Sequence, residues 1–227
     1  MSEAKVIPLE SERRIREKLI SAMGTVLARV GFERLDRELV AQEAGVAVGN
    51  IERCFGGLNG LVDAFGQSDI FWPSAQELMC EVRGSFAELT PEQQMATFYK
   101  SLFSALRRRP ETMEILAWEA LERNDLSRRL EEIRVRISLE YFENLQGEIP
   151  EGADLSAIVA LLAGAVQFLA VRSRRSTSFG GIDLSSKRGR QRIDCAIEAL
   201  VKGSFAASRG CSGANHGFHS EQGPRGF

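Results

Sequence analysis

The chain has 227 residues and a formal net charge of −2, with 44% hydrophobic and 26% charged residues. It is long enough for one large hydrophobic core or two smaller ones. The charge excludes a polycation, so any contact with nucleic acid requires a local basic patch. Ala, Leu, Glu and Arg are abundant while β-branched and aromatic residues are sparse, which favours helices over strands.

After a flexible arm over residues 1–8, apolar residues recur at spacings of three and four over 9–30, which predicts a first helix. Gly31 and Phe32 fit a glycine stop followed by an apolar residue that folds back on the helix. Two short helices are predicted next, over about 37–44 and about 48–54, with Gly45 between them. A longer helix is expected from Leu58 to about residue 72, where Pro73 either ends it or kinks it before a continuation to about residue 89.

Thr90 is a strong helix start, because it can cap the helix while Pro91 occupies the first turn and Gln93 completes a capping box. Loops are predicted over 147–152 and 176–181. Periodicity predicts helices from Thr90 to the arginines before residue 110, and over about 111–123, 125–146, 154–174 and 186–208. Residues 209–227 are rich in glycine and polar residues, and we expect a disordered tail. The predicted fold is therefore all-α, with about nine helices.

The longest apolar run covers 157–171, about 15 residues, whereas a bilayer requires about 20. We interpret it as a buried helix and expect no membrane association. The first residues lack the apolar core of a signal peptide, and the cysteines are interpreted as reduced thiols, which predicts a cytoplasmic protein. The four cysteines are Cys54, Cys80, Cys195 and Cys211.

The stretch around Gly45 has the residues that a helix-turn-helix requires. Counting from Arg37, the fifth residue is Ala41, which is small enough for two helices to cross in contact. The ninth is Gly45, which tolerates a positive φ angle. Three apolar residues then point into a small core: Val46, Ile51 and Cys54. The outer face of the second helix is free to enter a major groove.

Over residues 14–64, about 50 of 227, the sequence resembles the DNA-binding domain of the tetracycline-repressor (TetR) family. The residues that carry the resemblance are Ile15, Leu19, Ala22, Val30, Gly31, Phe32, the run 39–51, Phe55 and Leu61. The resemblance implies a three-helix DNA-binding domain over 1–63 and a larger helical bundle over 64–208 that binds a small molecule and forms a homodimer. The implied function is a ligand-responsive transcription regulator, a repressor released from a palindromic double-stranded DNA operator.

Four departures from the family pattern weaken the expected DNA contacts. Leu35 and Asp36 replace the usual threonines, Val48 and Leu58 replace lysines, and Glu52 replaces a tyrosine. Residues 1–63 contain 9 basic and 10 acidic side chains, so their formal charge is 9 − 10 = −1. An alternative function is therefore a helical small-molecule-binding protein on the same scaffold that has lost DNA binding.

The candidate DNA-binding residues lie on the second short helix and before the first. Arg53 can pair with guanine and Asn50 with adenine, or both can form a solvated face. Arg34 and Arg37 can hold phosphate, or serve as surface charge. Arg16 and its neighbours can contact the DNA backbone, although solvation of a helix is the simpler interpretation. The residues that allow close approach to the groove are Ala47, Val48 and Gly49.

The candidate ligand-binding residues are aromatic and soft side chains at helical spacing, joined by two polar groups that can orient a ligand. They are Phe98, Leu102, Met113, Trp118, Tyr141, Phe142, Gln167 and Phe168. The same pattern is typical of a hydrophobic core, and both interpretations stay open. If these residues line a pocket, its aromatic content indicates a hydrophobic or amphipathic effector.

The helix over 154–174 is rich in small residues, and the family arrangement implies that it forms a four-helix dimer interface with the last helix. The apolar residues of the last helix are Ile193, Ile197, Leu200, Val201 and Phe205. A two-fold dimer presents two recognition helices to half-sites about 34 Å apart. The helix that begins at Leu58 joins the two domains and is the expected lever between ligand and DNA.

We find no nucleophile elbow, phosphate-binding loop or dinucleotide fingerprint, and therefore expect no enzyme activity and no cofactor. The histidines are His216 and His219, in the glycine-rich tail near Cys211. We interpret that grouping as chance and expect no metal site.

Overall fold

A computed structural model describes residues 9–80, 86–143 and 154–214, and the remaining residues lie outside that description. Within it the chain forms ten α-helices and one short hairpin. The helices are α1 (Leu9–Val30), α2 (Arg37–Ala44), α3 (Gly49–Phe55), α4 (Leu58–Gly66), α5 (Ala75–Cys80), α6 (Pro91–Arg107), α7 (Pro110–Glu119), α8 (Asp125–Glu143), α9 (Leu155–Arg175) and α10 (Lys187–Ala214). A 3₁₀ turn covers Phe86–Glu88. The all-α prediction is confirmed.

The first three helices form a small domain around the apolar face of α1. Leu19, Met23 and Val26 on that face are fully buried, as the spacings of three and four predict. Both α2 and α3 pack against α1. Phe32, just after the glycine stop, is also buried in this core. The prediction for the first turn of the chain is therefore confirmed.

The predicted long fourth helix is wrong, because α4 ends at Gly66 instead of continuing to residue 72. The Ser68 hydroxyl donates to the carbonyl of Phe65 at 2.6 Å, and so competes with the next turn of helix. Phe71 and Trp72 then enter the core, at 0% and 2% exposure. Burial of these two rings redirects the chain, and α5 begins only at Ala75.

α6 lies at the centre of the larger bundle, where it contacts α5, α7, α9 and α10. Its capping box is confirmed. The Thr90 hydroxyl accepts from the Gln93 backbone amide, and the Gln93 side chain accepts from the Thr90 amide. Phe98, Leu102 and Leu106 lie buried along one side of the helix. The bundle core is therefore built around a helix whose start the sequence specifies.

A two-residue hairpin replaces the loop predicted over 176–181. β1 (Ser178–Phe179) pairs antiparallel with β2 (Ile182–Asp183). The Leu184 amide donates to the Thr177 carbonyl at 2.7 Å, and Arg107 of α6 donates to the Leu184 carbonyl at 2.7 Å. The last helix also continues to Ala214, past the predicted end near residue 208, so 209–214 are helical instead of disordered. The rest of the predicted tail, the arm over 1–8 and the loop over 147–152 lie outside the described residues.

α9 is not the buried helix that its composition predicts. Only Leu162, Val166 and Ala170 are buried along it. Its most apolar 18-residue window is 17% buried within the chain, and by length and composition alone the helix could cross a membrane. One side packs on α6 and α7, whereas the opposite side presents apolar side chains at the surface.

Candidate DNA-binding face and ligand cavity

α2 and α3 adopt the crossed arrangement that a helix-turn-helix requires. Gly45 has φ 63°, and its amide donates to the Gln42 carbonyl at 3.1 Å, which ends α2. Ala41 and Ile51 are 3% and 1% exposed, so the helices meet at small and apolar residues. Cys54 is buried as well, while Val46 is only half-buried. The predicted core positions of the motif are thus occupied as expected, with Val46 at the edge.

Arg16 of α1 supports this motif from inside the domain. Its guanidinium donates to the Cys54 carbonyl at the end of α3 and lies 4.3 Å from the centre of the Phe55 ring. A cation held over an aromatic ring and hydrogen-bonded to a helix end joins two helices. Arg16 is therefore not simply a solvated helix side chain, since it ties α1 to α3, and its contact with phosphate stays a prediction.

The outer face of α3 is exposed and carries the predicted DNA-reading residues. The Asn50 amide donates to the Ala47 carbonyl at 3.0 Å, and its oxygen accepts from Arg53 at 2.8 Å. Val48 is 40% exposed, and Ala47 and Gly49 lie beside it. The structure thus brings the five predicted residues of this stretch, at positions 47–50 and 53, onto one surface. Arg34 and Arg37, before and at the start of α2, are exposed too.

Carboxylates partly neutralise the cations of this domain. Arg53 lies 3.8 Å from Glu12, Arg37 lies 3.5 Å from Glu38, and Arg29 lies 2.9 Å from Glu43. Glu52 is exposed on the same helix as Arg53. These exposed pairs are weak, but each lowers the local positive potential that would attract phosphate.

The eight predicted ligand-binding residues do not form one site. Phe98, Tyr141 and Phe142 form a ring cluster, with the Phe98 centroid 4.5 Å from Tyr141 and 4.7 Å from Phe142. The Tyr141 hydroxyl donates to the Gln94 carbonyl at 2.9 Å, and burial raises the pKa of Tyr141 above its ordinary value. Leu102 and Met113 are likewise buried. For these five residues the core interpretation fits the packing.

Trp118 has a different environment, because its indole N–H donates to the Ala28 carbonyl of α1 at 3.0 Å. It therefore joins the bundle to the first domain. Gln167 and Phe168 lie on α9, away from the ring cluster. The Gln167 oxygen accepts from Arg134 at 2.6 Å, and Phe168 is 53% exposed with its ring centre 5.3 Å from that of Phe179.

Gln167 and Phe168 line a cavity of about 540 Å³ between α7, α8 and α9. Its lining residues are Leu116, Ala117, Glu119, Ala120, Arg123, Glu131, Gly164, Gln167, Phe168 and Val171. Behind it, Glu119 forms a buried ion pair with Arg134. Burial raises the pKa of Glu119 above its ordinary value, although the Arg134 guanidinium opposes that shift. Sequence reasoning missed this pair, since charged residues on helices are usually solvated.

Several side chains connect the bundle to the first domain. The Glu122 carboxylate, just after α7, accepts from the backbone amides of Phe32 at 2.5 Å and Glu33 at 3.0 Å. Arg129 of α8 donates to both carboxylate oxygens of Asp63 on α4, at 2.9 and 3.1 Å. Together with Trp118, these contacts make α7 and α8 the elements that hold α1 and the turn after it in position.

The fold is that of TetR-family transcription regulators. A TetR-family regulator from Marinobacter aquaeolei VT8 matches with a TM-score of 0.55 and 13% identity, over 87% of this chain and 97% of that one. FadR from Bacillus subtilis, solved with stearoyl-CoA, has a TM-score of 0.58 and 16% identity, over 82% and 96%. A TetR-like regulator from Rhodococcus sp. RHA1 has a TM-score of 0.56 and 17% identity, over 88% and 96%. No family model matches the sequence. No curated protein matches it either.

Proposed function

We propose that this protein is a ligand-responsive transcription regulator, a repressor that a small molecule releases from a palindromic operator. In this proposal residues 1–63 bind DNA, residues 64–208 bind the effector and form a homodimer, and the protein acts in the cytoplasm. The observation that carries the proposal is the crossing of α2 and α3 at Gly45, which leaves the outer face of α3 exposed. No catalytic activity is part of the proposal.

Arg53 and Asn50 are the proposed base-reading residues. Their mutual hydrogen bond orients the guanidinium in the free protein, and a guanine edge offers Arg53 two acceptors in its place. The side chains at the N-terminal end of α3 are small, which permits the backbone to approach the DNA groove. The proposed supporting contacts are phosphate for Arg34 and Arg37, a thymine methyl for Val48, and close packing for Ala47 and Gly49.

A homodimer through α9 and α10 is supported by their outer faces. Leu161 is 76% exposed on α9 and Leu200 is 60% exposed on α10. Around them lie exposed small residues: Ala157, Ala160, Gly164 and Ala165 on α9, and Ala196, Ala199 and Gly203 on α10. Exposed apolar stripes of this kind are typical of interaction sites, and two-fold packing of four helices would cover them on both subunits.

The residues expected at this interface from the sequence need one correction. Ile193, Ile197, Val201 and Phe205 are buried inside the chain, against its own bundle, and Leu200 alone of the five is exposed. The proposed interface therefore uses the opposite side of α10. Leu161→Glu combined with Leu200→Glu should yield a monomer by light scattering, whereas Leu121→Glu, at a site 78% exposed outside α9 and α10, should leave the mass unchanged.

The sequence led us to expect that α4 couples ligand binding to DNA binding. We now assign that role to α7. Glu119 and Ala120, at its end, line the cavity, while Trp118 and Glu122 hold the end of α1 and the turn after it. A ligand that moves α7 against α9 would therefore move the recognition helix. A coupling free energy of about 1–3 kcal/mol would change operator affinity some 5- to 150-fold.

Selection of genomic fragments by the full-length protein at moderate salt tests DNA binding. We expect a palindrome with half-sites about one helical turn apart. Arg53→Ala should relax the preferred base at one position in each half-site and weaken binding by about 1–3 kcal/mol. Arg128→Ala, an exposed arginine on α8, is the matched control and should leave both unchanged.

A second candidate is a small-molecule-binding protein of the same fold that does not bind DNA. The net charge of −1 over residues 1–63, the exposed Glu52 and the carboxylates beside Arg37 and Arg53 favour it. Recovery of no enriched palindrome at any salt concentration, from a folded dimer that binds a ligand, would support this candidate and refute the regulator.

A further inference from the structure

Positive charge is concentrated where α9 ends and α10 begins. Residues 172–194 contain 7 basic and 2 acidic side chains, so their formal charge is 7 − 2 = +5. The whole chain has a formal charge of −2, so the other residues sum to −7. A local excess of this size in an otherwise acidic chain favours contact with an anionic partner.

Part of this charge lies on the surface without a counterion from the chain. The basic patch is defined by four exposed cations: Arg172, Lys187, Arg188 and Arg192. Among the residues that the structure describes, none of the four forms a salt bridge or a side-chain hydrogen bond. The Asp183 carboxylate is engaged in the turn before α10, where it accepts from the Ser185 amide at 2.8 Å. The patch is therefore open to a partner.

The cations around the patch are incompletely neutralised as well. Arg174 and Arg175 share one carboxylate, that of Glu114 on α7, at 3.2 and 2.9 Å. Burial lowers the pKa of Arg107, at the end of α6, below its ordinary value, and the positive charge of Arg190 lowers it further. The neighbouring residues therefore add to the positive potential of the patch.

Helix stability explains the cations of α9 but not those of α10. Arg172 lies in the last turn of α9, where the helix dipole stabilises a positive charge. Lys187 and Arg188 lie in the first turn of α10, where the same dipole opposes a positive charge, and no acidic residue is present in that turn. A negatively charged partner would account for cations in this unfavourable position.

The patch lies at the end of the bundle to which the DNA-binding domain is attached. α7, which pairs with the end of α9, also holds α1 through Trp118. At the end of α6, Arg107 donates to the Leu184 carbonyl just before α10 at 2.7 Å. Two residues later, Arg109 donates to the Asp69 carbonyl just after α4 at 3.0 Å. Both sides of the patch are thus linked to elements that lead into the first domain.

In the proposed dimer, the two copies of the patch come together near the two-fold axis. Arg172 follows Leu161 by about three turns of α9, and Arg192 precedes Ala199 by about two turns of α10. Each arginine therefore continues the face that packs against the partner. The two-fold axis of a dimer on a palindrome passes through the centre of the operator, so the two patches face its central segment.

We propose that the basic patch attracts the phosphate backbone of double-stranded DNA and supplies the positive potential that residues 1–63, with a formal charge of −1, lack. Backbone phosphates carry no sequence information, so the patch acts on any duplex while α3 selects the sequence. The inference goes beyond the proposed function and rests on it only for the position of the operator centre.

Two charge-reversal variants with the same net charge test the location of this attraction. Lys187→Glu combined with Arg188→Glu alters the patch, whereas Arg136→Glu combined with Lys202→Glu alters exposed cations outside it. Lys202 lies 14 residues beyond Arg188, or about 21 Å along α10. Any difference between the two variants therefore reports where the charge lies and not how much charge there is.

Fluorescence anisotropy of a labelled random-sequence duplex, across a series of salt concentrations, measures the affinity of the full-length protein. At low salt the patch variant should bind about tenfold or more weakly than the parent, and its affinity should depend less steeply on salt. The control variant should stay within about threefold of the parent. Equal weakening by both variants, or an unchanged affinity of the patch variant, would overturn the proposal.

Two further measurements exclude other roles for the patch. In urea unfolding the patch variant should be at least as stable as the parent, because glutamates suit the first turn of a helix; a loss of stability would show that the cations support the fold and would overturn the inference. Binding to vesicles of phosphatidylglycerol and phosphatidylcholine that depends on the patch, without such dependence for DNA, would overturn it in favour of a membrane surface.

The duplex of random sequence keeps this result separate from operator recognition. A protein whose affinity for random DNA depends on the patch, but which selects no palindrome, would lose only the regulatory function. One that selects a palindrome, and whose affinity is indifferent to the patch, would lose only this inference.

Discussion

Gly31 and Gly45 both have left-handed backbone conformations, but only Gly31 is closely packed. Comparing alanine substitutions at the two sites therefore separates the effect of packing at Gly31 from that of its backbone conformation. Gly31 has φ 79° and Gly45 has φ 63°. A Cβ atom built on Gly45 meets nothing within 4 Å, whereas one on Gly31 lies 2.7 and 2.8 Å from the Glu122 carboxylate oxygens and 3.0 Å from Trp118 Cδ2. Substitution by alanine therefore adds backbone strain at both sites and a collision at one.

The expected magnitudes follow from those contacts. An alanine in the left-handed region lowers the free energy of unfolding by about 1–2 kcal/mol relative to glycine, and this is the whole expected effect of Gly45→Ala. At Gly31 the carboxylate must also move, and its hydrogen bonds to the Phe32 and Glu33 amides at 2.5 and 3.0 Å are lost. Since one of these bonds is partly buried and the other exposed, we assign about 2 kcal/mol to the pair. Gly31→Ala should therefore destabilise the protein by about 3–4 kcal/mol.

Urea unfolding of both variants, of Glu122→Ala and of the double variant Gly31→Ala with Glu122→Ala measures these free energies. Once the carboxylate is absent, Gly31→Ala should destabilise the protein only through its backbone strain. The double variant should therefore be about 2 kcal/mol more stable than the sum of the two single effects predicts. Glu132→Ala, an exposed glutamate on α8, is the control for removal of a carboxylate. Equal losses at Gly31 and Gly45, or strictly additive effects with Glu122, would refute the contact between the domains.

Three further outcomes are expected. Arg16→Met should destabilise the protein by about 1–2 kcal/mol in urea unfolding, since it loses the bond to the end of α3 and the ring contact, whereas Arg13→Met on the exposed side should change little. Arg134→Met leaves a buried carboxylate and should lose about 3–5 kcal/mol, while the added change Glu119→Leu should restore most of that loss; no restoration would contradict the buried pair. Hydrogen bonds from two arginines lower the pKa of Glu77 below its ordinary value of 4.5. Its stabilisation is therefore present above that pH and lost as the pH falls through the folded-state pKa, so Glu77→Gln should be less stable at pH about 7 by about 1 kcal/mol and the gap should close in acid.

The identity of most helices could be read from local chemistry. Periodic apolar residues, the Thr90 capping box and the glycines at 31 and 45 act over a few residues, and each is visible in a short window. The crossing of α2 and α3 could be predicted for the same reason, because small, flexible and apolar residues are needed at fixed spacings. The exposed set on α3 follows from that geometry.

The candidate cavity depended on contacts between residues distant in the chain. Glu119, Arg134 and Gln167 lie on three different helices, and no local pattern distinguishes a buried charged residue from a solvated one. Phe98, Tyr141 and Phe142, which the sequence made equally compatible with a pocket, pack in the core instead. Burial of their large rings stabilises the fold more than exposure in a pocket would.

Local sequence thus sufficed wherever the stabilising interaction is between near neighbours, as in caps, turns and the period of a helix. It failed where burial of one residue competes with the continuation of a regular element. Phe71 and Trp72 end α4 early because the core accepts their rings, and α9 keeps an apolar face outward because no part of the chain that the structure describes packs on that side. Such outcomes depend on the area available in the assembled fold, which no window of sequence contains.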